Sequence, residues 1–153
     1  MRVLVKSEFC NDHSAVSPDG RWMAYESNVS GRYEVYVERY PELGGRQQIS
    51  TGGGAYPLWS RDGRELFFIT PDQRQVLTVP MRSGTTLVAG RPQVLFEFAM
   101  LPAFGGTRPY DIAPDGRFLI IRGAQAEADG CATSNMVLVL NWTEELKQLV
   151  PTK

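Results

Sequence analysis

His13 is the one histidine of this chain, and it stands between Asp12 and Ser14. Carboxylate, imidazole and hydroxyl are the three groups of a nucleophilic triad, in which the acid orients the imidazole and the imidazole takes the hydroxyl proton. Their adjacency argues against that use, because neighbours on an extended strand point to opposite faces. No Gly-x-Ser-x-Gly elbow accompanies them. His13 therefore reads as a strand-end histidine making one hydrogen bond, and no catalytic residue is expected. Metal chemistry finds no better footing. Cys10 and Cys131 are too far apart in sequence to give, with one histidine, a recognisable zinc spacing. Both cysteines read as free thiols, with a Cys10–Cys131 bridge as the minor alternative. Asp19, Asp62 and Asp115 sit in separate turns, so they form no calcium loop, and each is expected to bond its own turn backbone. Gly52-Gly53-Gly54 lacks the Lys-Ser/Thr of a phosphate loop and reads as a flexible connection, as does Gly105-Gly106. No metal and no cofactor are expected.

The chain has 153 residues, 42% of them hydrophobic and 22% charged, with a formal net charge of −1. That balance offers no polyanion-seeking surface, so nucleic acid is excluded as a first-order partner. No run of about 18 apolar residues is present, and the start Met1-Arg2-Val3-Leu4-Val5-Lys6 meets charge too early for a signal-peptide core. The expectation is a cytoplasmic protein without a membrane partner.

What must position these residues is an internal repeat. Ser17-Pro18-Asp19-Gly20-Arg21 recurs as Ser60-Arg61-Asp62-Gly63-Arg64 and as Ala113-Pro114-Asp115-Gly116-Arg117. The three aspartates lie 43 and 53 residues apart. Each turn is preceded by a short apolar segment (Ala15-Val16, Leu58-Trp59, Tyr110-Asp111-Ile112) and followed by a longer one beginning at Trp22, Leu66 or Phe118. Asp-Gly between apolar runs is a hairpin signal, because Gly20, Gly63 and Gly116 take a positive φ without steric cost. A third strand follows in each repeat: 33–38, 75–80 and 136–140. A fourth, outer strand is expected at 46–50 and 93–98, with none in the third repeat. From Asn141 the pattern turns helical, with Asn141 as N-cap, Glu144 and Glu145 in the first turn and Pro151 as the stop, giving a short helix over 142–150.

Four-stranded units repeating without helices between them describe an all-β protein, a β-propeller, with a short C-terminal helix. The blades are expected at about 11–51, 54–99 and 107–141 of a single domain spanning 1–153, preceded by a strand at 2–6. From about residue 11 onward the sequence resembles the TolB-type, WD-like propeller repeat. It resembles most the C-terminal propeller region of bacterial serine/threonine protein kinases, through Ser17 to Val37, Gly53 to Phe67 and the tail Asn141-Trp142-Thr143-Glu144-Glu145-Leu146-Lys147. The kinase signatures themselves are absent, so the resemblance implies a propeller and not phosphoryl transfer.

Three blades are half of a six-bladed ring, and rings use roughly four to eight. An open arc would leave strand edges and apolar blade faces exposed. A homodimer closes the ring, with Val3, Leu4 and Val5 pairing alongside Met136, Leu138 and Leu140 of a second copy. A piece of a larger propeller protein is the alternative. Tyr56 and Tyr110, with His13, are the candidates for the mouth of the central channel, where propellers bind ligands. The expected function is a non-catalytic module binding an unidentified protein or small ligand. A hydrolase or lyase with its site at that mouth, or a structural remnant, is the alternative.

Overall fold

The structure is a computed structural model, described over residues 10–97, 108–123 and 134–139, with 121–123 and 134–139 described by their backbone alone. The expected strand at 2–6, with Val3, Leu4 and Val5, lies outside these residues, as do Leu140, Cys131, Gly105-Gly106 and the expected helix at 142–150. Among the described residues every regular element is a strand. No helix there is long and apolar enough to cross a membrane. The chain divides into two compact units, 1–98 and 99–153.

The first unit holds two antiparallel sheets. β1 (Asn11–Val16), β2 (Trp22–Ser27), β3 (Glu34–Arg39) and β4 (Gln47–Gln48) form the first, in that order. β5 (Ala55–Trp59), β6 (Glu65–Ile69), β7 (Gln75–Arg82) and β8 (Val88–Ala89) follow in the second, where β9 (Gln93–Glu97) also pairs with β7. The second unit carries a three-stranded sheet of β10 (Tyr110–Ile112), β11 (Phe118–Gly123) and β12 (Ser134–Val139). Met136 and Leu138 lie on β12 opposite Ile121 and Leu119.

Alternation along the strands builds the core between the first two sheets. Trp22 and Ala24 of β2, with Val35 and Val37 of β3, turn one face toward Trp59, Leu66, Phe68 and Val79 of the second sheet. The opposite face of β2 and β3 is buried as well, around Met23, Tyr25 and Tyr36. There Glu38 accepts from the Tyr25 hydroxyl at 2.9 Å and from Arg46 Nε at 2.8 Å, and Arg46 lies over the Tyr36 ring. Burial and the Glu38 carboxylate together push the Tyr25 phenol up.

The outer strand of the first sheet is shorter than its sequence suggests, for a local reason. The amide of Val35 donates to Ser50 Oγ at 2.8 Å, and that of Ile49 donates to the Val35 carbonyl. A hydroxyl thus takes the place of a ladder carbonyl, and regular pairing stops at Gln48. The glycines that follow are not a slack connection. Glu34, fully buried, accepts from Gly53 N at 3.0 Å, from Arg32 Nε at 2.7 Å and from the Ser50 hydroxyl. Gly53 has φ +89°, and a Cβ there would stand 2.3 Å from Pro71 Cγ.

Candidate functional site

The repeated turns are the local device that starts each sheet. In the first, the Gly20 amide closes onto the Ser17 carbonyl, Ser17 Oγ donates to Asp19 Oδ1 at 2.6 Å, and the same hydroxyl accepts from Trp22 N. Ser60, Asp62 and Gly63 repeat the pattern, with Ser60 Oγ 2.7 Å from Asp62 Oδ1. Gly20, Gly63 and Gly116 have φ of +68°, +69° and +84°. The third turn, with Ala113 in place of serine, lacks a hydroxyl to share. There Asp115 is held by Arg117 through its backbone amide and through Nε at 2.6 Å. Hydrogen bonds from Ser60 and from the Arg64 amide hold Asp62 below the usual carboxylate range; the Arg117 contacts do the same for Asp115.

One copy of this turn escapes a search for Asp-Gly. Thr70-Pro71-Asp72-Gln73 joins β6 to β7 with the same hydroxyl-to-carboxylate bond, and Gln73 takes the glycine's place at φ +55°. The signal was present as Thr-Pro-Asp-x-Arg, but the missing glycine hid it.

Going back four residues from Ser17 and from Ser60 leads to His13 and Tyr56. Both are non-glycine residues with positive φ, +45° and +56°. Each sits in a β-bulge: the register of β1 on β2 shifts between Asp12 and Ala15, and that of β5 on β6 between Ala55 and Leu58. An extra residue in a strand breaks its in–out alternation and re-aims the side chains around it. The corresponding position of the third repeat is Pro109, whose ring fixes φ near −65° and forbids the same conformation.

The first bulge overturns the expectation that Asp12 and His13 must face apart. His13 Nδ1 lies 2.8 Å from Glu26 Oε1 and 3.8 Å from Asp12 Oδ1. Asp12 Oδ1 also accepts from the His13 backbone amide at 2.9 Å. Glu26 belongs to the inter-sheet face of β2, two positions beyond Ala24, and its side chain is 8% exposed against 18% for His13. Its second oxygen accepts from Tyr56 N at 2.8 Å. One carboxylate therefore ties the bulge of the first sheet to the bulge of the second. The His13 and Tyr56 rings meet at a centroid distance of 4.3 Å, tilted by 47°.

The surroundings are electronegative. Burial, with the Glu26 and Asp12 charges, raises the Tyr56 phenol. The exposed Tyr33 phenol is raised by its hydrogen bond with Cys10 and by the same two carboxylates. Chemically, the site presents an imidazole oriented by a carboxylate and packed against the Tyr56 ring. The structure thus brings His13 and Tyr56 together but treats Tyr110 differently. Tyr110 comes one position later in the repeat, and in the second unit it is buried and stacked on Phe118 at 6.4 Å. Burial pushes its phenol up.

Glu26 was missed from sequence, although the turn supplied the means to find it. Ala15 pairs with Ala24 and Val16 with Met23. Continuing that count brings Glu26 to His13, with the bulge setting it directly opposite Asp12, and Glu26 is an acid on the face where the strand otherwise buries apolar groups.

No protein-family model and no curated protein matches the chain. Solved structures do. A puromycin-hydrolysing peptidase of Mycobacterium tuberculosis superposes with a TM-score of 0.62 over 90% of this chain and 22% of its own, at 23% identity. An oligogalacturonate lyase from Vibrio parahaemolyticus gives 0.54 over 77% and 31%, at 14% identity. A TolB candidate from Agrobacterium tumefaciens gives 0.47 over 62% and 36%, at 24% identity. The chain spans about a fifth to a third of the length of these proteins. At such identities the first two likenesses bear on the fold alone, and with the antiparallel sheets they support a β-propeller fold.

Proposed function

We infer that the chain is a non-catalytic β-propeller module that binds a protein or small ligand and assembles into a six-bladed ring as a homodimer. The observation that carries the binding role is the pair of left-handed, non-glycine residues at one repeat position, His13 and Tyr56, whose rings meet at 4.3 Å. Positive φ at such residues costs of order 1–3 kcal/mol each and persists where the surroundings enforce it, often at ligand sites. Here Glu26 enforces both bulges and holds an imidazole and a phenol side by side. The resemblance of the tail to kinase-associated propeller regions supports a sensory or interaction role.

The ring rests on blade arithmetic. Three repeats supply half of six blades, and the sheet of β10 to β12 has three strands among the described residues. A second copy would supply both the missing blades and a strand for that sheet.

A hydrolase or lyase is the second reading, favoured by the carboxylate-oriented imidazole of His13 and Glu26. Assays with puromycin and with oligogalacturonate, the substrates of two structural neighbours, test the second reading. The binding module predicts no turnover. Turnover abolished by His13→Asn would establish the enzyme instead.

A further inference from the structure

We propose that Asp12, His13 and Glu26 form a binding site for one first-row divalent metal ion, with Zn²⁺ as the test case. Asp12 Oδ1, His13 Nδ1 and Glu26 Oε1 lie within 4.8 Å of one another. Ligand atoms about 2.0–2.2 Å from a common ion stand roughly 3–4 Å apart. The separations of 2.8 Å from Nδ1 to Glu26 and 3.8 Å from Nδ1 to Asp12 reach that range with small side-chain rotations. The donors come from two paired strands, Asp12 and Glu26 being direct partners in the β1–β2 register, so the ladder fixes their spacing.

The chemistry is that of a borderline ion. One imidazole and two carboxylates suit Zn²⁺ and its first-row neighbours better than thiophilic ions. On binding, the ion takes the place of the hydrogen between Nδ1 and Glu26, and the ring carries its hydrogen on Nε2: a neutral ring shifts tautomer, and a protonated one releases one proton to solvent. Glu26 keeps its second oxygen on the Tyr56 amide, and that outer bond orients the ligand carboxylate. Asp12 is exposed, so coordination positions on its side remain open to water or to a ligand. The site uses the first unit only, and it stands or falls independently of ring assembly.

The test is equilibrium dialysis of the full chain against Zn²⁺, in a Cys10→Ser, Cys131→Ser background that removes thiol ligands. The expected result is one ion per chain, with binding weakened about tenfold or more by His13→Asn and, separately, by Asp12→Asn. Even partners of a ligand bring losses of that size. Asparagine tolerates the left-handed backbone of residue 13, and Asp12→Asn keeps an oxygen for the His13 amide, so both variants should fold. Asp12→Asn should retain the melting temperature of the metal-free protein, while His13→Asn should melt lower for loss of its bond to Glu26. Co²⁺ bound at the same site should show an absorption spectrum that His13→Asn abolishes. No stoichiometric uptake, or uptake unchanged by either substitution, would mark an adventitious ion only and overturn the proposal.

Discussion

The hydroxyls of Ser17 and Ser60 each make two bonds inside their turns, one to the aspartate and one to the amide opening the next strand. Ser60→Ala should therefore cost about 1 kcal/mol, the usual net worth of such a bond, read as a shift in the urea midpoint. The carboxylates add a pH dependence. Asp62, Asp72 and Asp115 are held low mainly by hydrogen bonds, and Asp19 ends low because Ser17, Ser83 and Arg21 outweigh its burial. A carboxyl whose folded pKa is depressed stabilises the fold above its unfolded value and loses that contribution as pH falls through the folded one. The melting temperature should accordingly drop as pH falls below about 4. A flat acid profile would contradict this account of the turns. At this scale the sequence was most legible, because a turn's residues are contiguous. The exception is Glu26, whose partners His13 and Tyr56 reach it from other strands.

Strands add what contiguous residues cannot show. Hairpin signals located β1, β2, β5, β6, β10 and β11 around their turns, since Gly20, Gly63 and Gly116 need positive φ. The bulges at His13 and Tyr56 were not legible, because nothing in a strand's alternation announces an inserted residue. Ser50 and Gly53 were read as strand end and loose linker, yet both are fixed through Glu34, a contact set by pairing across the sheet. Two glycine substitutions test the distinction. Gly20→Ala meets open space and should cost about 1 kcal/mol for its left-handed backbone. Gly53→Ala adds a collision with Pro71 and should cost clearly more. Comparable unfolding midpoints for the two would show that the 52–54 segment yields. In the core, Phe68 is 1% exposed between the sheets, and Phe68→Ala should cost about 3–5 kcal/mol by chemical denaturation.

For the whole molecule, repetition was the informative signal: three turns of one type placed the chain among all-β folds, and solved structures support a propeller. Assembly is less legible, because closure depends on surfaces that meet only when further blades are present. A ring would cover the strand edges and blade faces that an arc leaves open. Light scattering on the purified chain at micromolar concentration tests this most directly. The account predicts a single species of about twice 17.1 kDa. A clean monomer would contradict it.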